Sequence, residues 1–143
     1  MVNDELHFLL LKAHNVSGRR IQAMTSELGL TPGQPKVLEY LLEHDGAQAS
    51  DICRGFAIDK STMASILPRM EKAGLVRREA SPTDRRASLI WITDKGRELA
   101  LIVKQAIFAV DTDLTQGVSA EDLAACERVL ARIAANADKQ PTK

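Results

Sequence analysis

The sequence contains few of the residues that define several large protein classes. Its 143 residues include only two cysteines, Cys53 and Cys126, too few for a disulfide framework and without the spacing of a metal site. The longest apolar runs, Phe8 to Leu11 and Leu99 to Val103, are far shorter than the roughly 20 residues of a membrane span. The acidic N-terminus does not have the pattern of a secretory signal. We therefore expect a cytoplasmic protein without a membrane partner.

Signatures of catalysis are also missing. The chain carries no nucleophile elbow, no glycine-rich phosphate loop and no paired-carboxylate catalytic site. We therefore expect no enzymatic activity, and neither catalytic residues nor a metal or cofactor. A content of 45% hydrophobic and 27% charged residues instead indicates one folded domain, or one domain with helical arms.

Net charge is absent from the whole chain but not from its parts. The 19 basic side chains balance 19 acidic ones. Between Arg54 and Arg97, however, ten lysines and arginines accompany five aspartates and glutamates, so this segment carries +5 and the remainder −5. A basic middle between acidic ends is typical of a phosphate-binding module within a scaffold. A cluster on a solvated face is the alternative interpretation.

The hydrophobic pattern predicts a helix-turn-helix. Apolar residues recur three or four apart in four segments, which indicates helices over about Asn3–Leu28, Thr31–Glu43, Ala49–Ala57 and Lys60–Ala73. Thr31 is the expected N-cap of the second helix, with Gln34 closing a capping box, and Asp59 is the expected N-cap of the fourth. Only Ile58 and Asp59 separate the third and fourth helices, as in a helix-turn-helix.

The pattern then changes to that of β-strands. Leu75–Arg78 and Ala87–Ile92 indicate two strands, joined by the turn-forming stretch Ser81–Asp84. A hairpin that directly follows a helix-turn-helix is a wing. Two more helices follow, one capped by Thr93 and one that begins near Ser119.

The predicted fold is mainly α with a small β-hairpin wing. Residues 31–95 form a winged helix-turn-helix, and residues 1–30 and 96–143 form a helical dimerisation region. The outer helices carry more apolar surface than a thin layer of three helices can bury alone, so a second copy of the chain is the expected partner.

Two stretches resemble MarR-family transcriptional regulators. Ser61–Val76 is similar to the recognition helix and following strand of that family, and Ser81–Arg86 with Leu89–Gly96 is similar to its wing. The Asp-Arg-Arg at the wing tip, followed by a strand and Ile-Thr-x-x-Gly, is the most specific part. The resemblance implies a homodimer that binds a pseudo-palindromic site on double-stranded DNA as a repressor. It also implies release by a small effector, often aromatic or anionic.

The DNA contacts are expected on two elements. Short polar side chains near the start of a recognition helix reach phosphates or base edges in the major groove, and an arginine on a wing fits the minor groove. By resemblance Arg86 is the inserting residue, Asp84 orients it or pairs with a basic side chain, and Arg85 holds the DNA backbone. The predicted DNA-binding residues are Lys60, Ser61, Thr62, Ser65, Arg69, Asp84, Arg85 and Arg86.

Several of these residues also have a purely structural interpretation. Ser61 and Thr62 could serve only to cap the helix. Arg69 could pair with an acidic side chain, Glu71 or Asp59, and Asp84 could bond the backbone of its own turn. These alternatives leave the DNA contacts open at the level of the sequence.

Three positions depart from the family pattern. Ser65 stands where many members have an arginine, which weakens direct base readout. Pro68 lies inside the recognition helix, removes the hydrogen bond to the Ala64 carbonyl and is expected to bend the helix. Ala57 occupies a turn position where glycine is common.

Two alternative functions remain open. An oxidant sensor on the same scaffold would switch at Cys53 or Cys126, although packing roles are favoured for both. A winged-helix protein-interaction adaptor would have lost DNA binding, and the basic middle argues against it.

Overall fold

The computed structural model describes residues 2–139, with side chains from Glu5 onward. The elements within this range confirm the predicted fold class, mainly helical with a small sheet. They are α1 (Val2–Ser26), α2 (Gln34–Glu43), β1 (Ala47–Gln48), α3 (Ala49–Phe56), α4 (Lys60–Lys72), β2 (Val76–Ala80), β3 (Ser88–Ile92), α5 (Asp94–Leu114) and α6 (Ala120–Asp138). The chain divides into two compact units, one ending at Val110 and the other beginning at Asp111.

The wing belongs to a three-stranded antiparallel sheet rather than to an isolated hairpin. The strand order is β1-β3-β2, with Val76 opposite Ile92 and Ala47 opposite Ile90. Strand β1 escapes sequence prediction because two residues are too few to show an alternation. Its pairing with β3 attaches the start of α3 to the base of the wing.

The core of the first unit lies where α2, α3 and α4 meet the sheet. The predicted inner face of α4 is buried, as are its partners from the other elements: Leu38, Leu41, Ile52, Met63, Ile66, Leu67, Met70 and Ile90. Burying this many large apolar side chains fixes the rotation of α4 about its own axis. The opposite face of α4 is therefore presented to solvent.

The start of α2 differs from the sequence prediction, and the end of α3 shows why glycine is common at position 57. Gly33, at φ 90°, is the N-cap of α2, so Thr31 does not cap the helix as predicted. The Gln34 side chain still accepts a hydrogen bond from the Thr31 amide at 3.2 Å, which is half of the predicted capping box. Ala57, the C-cap residue that follows α3, has φ 54° and is the one non-glycine residue with a positive φ in the described chain. Glycine suits this turn because an L side chain in that region is strained.

The junction between β3 and α5 gives a physical reason for the Ile-Thr-x-x-Gly sequence. The Thr93 hydroxyl accepts a hydrogen bond from the Gly96 amide at 3.0 Å, which caps α5, and donates to the Gly74 carbonyl at 2.6 Å. A β-carbon on Gly96 would collide with the backbone carbonyl oxygen of Leu75. Only glycine at position 96 allows the first turn of α5 to lie this close to the backbone of Leu75, the residue before β2.

We expect Gly96→Ala to lower the free energy of unfolding by about 2 kcal/mol, because neither backbone segment can move without disturbing the core. Gly18→Ala is the control, because a β-carbon there has no heavy atom within 4 Å and α1 should gain helix propensity. Urea unfolding followed by the fluorescence of Trp91, the single tryptophan of the chain, measures both changes. Equal stability of Gly96→Ala and the parent chain would contradict this account of the junction.

Candidate nucleic-acid interface

Helix α4 presents a narrow polar face directly opposite its buried residues. The buried side chains Met63, Ile66, Leu67 and Met70 define the inner side of the helix. With 100° between successive residues, the side chains that point furthest from this inner side are those of Ser61, Ser65, Pro68 and Lys72. All four are exposed. The helix continues through Pro68 to Lys72, so the proline is part of this face rather than its end.

Two grooves flank this face and collect most of the predicted residues. On the side of α2, a groove of about 370 Å³ is lined by Thr62, Ser65 and Arg69 together with Thr31 and Pro32. On the side of the wing, a groove of about 440 Å³ brings three predicted residues together: Lys60, Asp84 and Arg86. Ser61 and Arg85 line neither groove. The fold thus places the start of the recognition helix beside the wing.

Hydrogen bonds within the wing tip shape the turn around Asp84. Its carboxylate accepts the amide hydrogen of Arg86 at 2.9 Å, and the Ser81 hydroxyl accepts the amide of Asp84 at 3.3 Å. The Ala87 amide donates to the Asp84 carbonyl at 3.1 Å. Asp84 therefore bonds its own turn, as the structural alternative predicted, and in doing so it fixes the backbone from which the exposed Arg86 projects.

The arginines and lysines of the basic segment fall into two groups. Four arginines are paired with carboxylates: Arg54 with Asp51, Arg77 with Glu79, Arg78 with Glu71, and Arg97 with Asp45. Lys95 donates to the Ala73 carbonyl at 2.9 Å. Among the residues that the structure describes, no carboxylate partner is recorded for Lys60, Arg69, Lys72, Arg85 or Arg86. Four of these five are residues that the sequence analysis assigned to DNA.

The same pairings bear on the alternative interpretation of Arg69. Glu71 is bonded to Arg78, with 2.6 Å between Oε1 and Nε, and Asp59 is occupied by the start of α4. Arg69 therefore makes neither of the ion pairs considered from the sequence. Its guanidinium is available at the groove that α4 forms with Thr31 and Pro32.

Asp59 caps the recognition helix and also binds its first hydroxyl groups. The Asp59 carboxylate accepts the Thr62 amide at 2.7 Å and the Ser61 hydroxyl at 2.8 Å. Hydrogen bonds from the Thr62 side chain, then from the Thr62 amide and the Ser61 hydroxyl, hold the pKa of this carboxyl below its ordinary value. Asp59 is thus ionised at neutral pH, and neither Ser61 nor Thr62 is itself the N-cap.

Sequence reasoning missed the other wall of the wing-side groove. Gln48, the last residue of β1, and Ser50 of α3 form this wall, and they line the groove together with Lys60, Arg86 and Arg78 of β2. The unpredicted strand β1 brings this wall to the wing, so the sequence carried no local signal for it. Cys53 lies buried against the same groove, whereas Cys126 is exposed on α6.

In the described part of the chain, no cluster of three or more histidine, cysteine, aspartate or glutamate side chains could hold a metal ion. No helix in residues 2–139 has the length and hydrophobicity of a membrane span.

Comparison with known proteins agrees with this architecture. A sequence model of the MarR family matches residues 28–87. The chain is 30% identical to the transcriptional regulator HosA of Escherichia coli O111:H- over 93 residues, which cover 65% of this chain and 69% of HosA. It is 28% identical to the putative transcriptional regulatory protein for the hcr operon of Thauera aromatica, over 80% of this chain and 70% of that protein.

A solved structure extends the similarity to nearly the whole chain. The transcriptional repressor CouR of Rhodococcus jostii RHA1, bound to a 23-mer DNA duplex, superposes with a TM-score of 0.81 at 27% identity. The match covers 93% of this chain and 94% of CouR. The fold and its site define a winged helix-turn-helix protein of the DNA-binding, transcription-regulating class. Within that class, the chain belongs to the MarR family.

Proposed function

We propose that this regulator is a homodimer that binds a pseudo-palindromic operator in double-stranded DNA and represses transcription. Residues 31–95 are its DNA-binding domain, and residues 1–30 and 96–143, whose outermost residues lie beyond the described range, are its dimerisation region. Release by a small aromatic or anionic effector completes the proposal, and it is supported by membership of the family.

The observation that carries the proposal is the division of the positive charge. Lys60, Arg69, Arg85 and Arg86 have no recorded acidic partner within the described chain, whereas four other arginines of the basic segment are each paired with a carboxylate. Unpaired cations beside a polar helix face are suited to phosphates and groove edges. The similarity to CouR, which was solved on DNA, supports the same function.

The distribution of exposed apolar side chains supports the dimer. Of the described residues, every exposed large hydrophobic lies outside residues 31–95, and nearly all are on α1, α5 and α6. Phe8 and Leu9 of α1 are 62% and 63% exposed, and no residue of α6 is buried. Apolar surface of this kind marks a protein interface. The helices that carry it lie outside the proposed DNA-binding domain, so a dimer built on them does not use residues 31–95.

The salt dependence of DNA binding tests the proposed function. Duplexes selected by the chain from a randomised library, measured by fluorescence anisotropy, should lose affinity linearly in a plot of log K against log salt concentration. If each of the four unpaired cationic side chains in each subunit neutralises one phosphate, a dimer should have a slope of about −7, since each neutralised phosphate contributes about −0.9. Failure to enrich any duplex, or binding that is independent of salt, would contradict the proposal and favour the protein-interaction adaptor.

A further inference from the structure

Ser61 occupies the centre of the α4 face that points furthest from the core. It lies in the first turn of the helix, where recognition helices contact base edges. The residues that follow it on this face, Ser65 and Pro68, are short, so no long side chain holds the start of the helix away from a groove floor. If the proposed function holds, Ser61 is among the first side chains to meet a base.

The hydroxyl group of Ser61 has a fixed polarity. Its oxygen lies 2.8 Å from the Asp59 carboxylate, which accepts hydrogen bonds but cannot donate them when ionised. The single hydroxyl hydrogen is therefore used within the protein. Only the lone pairs of the Ser61 oxygen remain for an outside partner, and that partner must be a donor.

This polarity excludes the partner that serine usually finds on DNA. Phosphate oxygens and guanine O6, like thymine O4, are acceptors, and none can bond to an oxygen without a free hydrogen. The donors in the major groove are the exocyclic amino groups, N4 of cytosine and N6 of adenine. A hydroxyl whose hydrogen is already bonded within the protein thus distinguishes a base amino group from a base carbonyl at one position.

We infer that Ser61 is a specificity-determining residue that accepts a hydrogen bond from a base amino group, and that Asp59 is the positioning residue that sets its polarity. This inference rests on the proposed DNA-binding function and deepens it. Ser65 provides the contrast on the same face, because no protein partner of its hydroxyl is recorded in the described chain, so it can donate or accept. Asp59 accordingly has two roles, since the carboxylate that caps α4 also orients the hydroxyl.

The test removes single amino groups from the DNA. In a duplex selected by the parent chain, each adenine is replaced in turn by purine and each cytosine by 2-pyrimidinone, symmetrically in both half-sites. We expect one position at which the parent loses about fivefold in affinity per half-site, the effect of one net hydrogen bond. Ser61→Ala should bind the unmodified duplex correspondingly less tightly and be indifferent to the amino group at that position. Ser65→Ala, the matched hydroxyl deletion, should keep that dependence.

Asp59→Ser separates the positioning role from helix capping. Serine is also a favoured N-cap, so α4 is retained, but a hydroxyl at position 59 can donate as well as accept and no longer fixes the polarity of the Ser61 hydroxyl. The parent should discriminate against a transition at the sensitive pair, which exchanges amino and carbonyl groups, whereas Asp59→Ser should lose most of that discrimination. A merely structural effect would lower affinity for both duplexes equally.

The outcomes distinguish this inference from the function on which it rests. If Ser61→Ala keeps the amino dependence of the parent at every position, Ser61 does not read a base. If Asp59→Ser keeps the discrimination of the parent, Asp59 does not set the polarity of Ser61. Either result overturns the inference while DNA binding stands. If the selection enriches no duplex, the proposed function fails and the inference fails with it.

Discussion

Replacing Leu130 or Ile133 of α6 with aspartate is expected to convert the proposed dimer to monomers and to lower operator affinity by more than about 100-fold. Both side chains lie on the apolar stripe of α6 and are exposed in the single chain, 43% and 36% respectively. A carboxylate in their place would be buried without a partner when two copies associate, which is strongly unfavourable. Operator affinity falls because each winged domain must then find its half-site alone, without the effective concentration that a linked partner supplies.

Sedimentation equilibrium at micromolar concentration measures the first effect, and the parent chain should have twice the 15.7 kDa chain mass. Ala135→Asp is the matched control, because the helical period places residue 135 on the opposite side of α6 and the same carboxylate is then added to a solvated face. A parent chain that is folded, stable and monomeric would rule out the dimer. Variants that remain dimeric with aspartate at both Leu130 and Ile133 would instead show that α6 is not part of the interface.

Arg86→Ala has the second large effect, a loss of operator affinity of about 10- to 100-fold per dimer. Each subunit would lose one arginine from the minor groove, where negative potential is concentrated, and one to two counterions fewer would be released per dimer. The slope of log K against log salt should therefore become less steep by about one to two. Folding should be unchanged, since Arg86 is exposed and Asp84 bonds only its amide.

Two arginine variants act as controls for Arg86. Arg54→Ala removes an exposed arginine that is already paired with Asp51, so it should have little effect on affinity or slope. Arg85→Ala should cost less than Arg86→Ala if Arg85 contacts only phosphate. Equal affinity of Arg86→Ala and the parent at two salt concentrations would show that the wing does not read DNA, and would remove Arg86 from the site.

The sequence predicts the helices well because their signals are local. The apolar stripe of α4, the cap at Asp59 and the cap at Ser119, whose hydroxyl accepts the Asp122 amide at 3.0 Å, are all contained within a few residues. Prediction fails where distant segments decide the outcome. Strand β1 exists only through its pairing with β3. Helix α2 starts at Gln34, later than predicted, because Gly33 has a positive φ that the neighbouring residues Thr31 and Pro32 do not indicate.

The candidate site shows the same division. Residue type, spacing and the family resemblance lead to Lys60, Arg69, Arg85 and Arg86 as candidates, but they do not show which other arginines are occupied by ion pairs. The partner of Arg78 lies on another element, at Glu71, and the partner of Arg97 lies far back in the chain, at Asp45. Only the folded chain shows which positive charges remain for a ligand.

Hydroxyl-radical footprinting of the parent dimer on a selected duplex tests the central claim most directly. The account predicts protection of two inverted half-sites about one helical turn, or ~10 bp, apart, with additional minor-groove protection that disappears in Arg86→Ala. Protection of a single unpaired half-site, or no protection at salt concentrations where the selected duplex binds, would contradict a two-fold regulator that reads DNA with α4 and its wing.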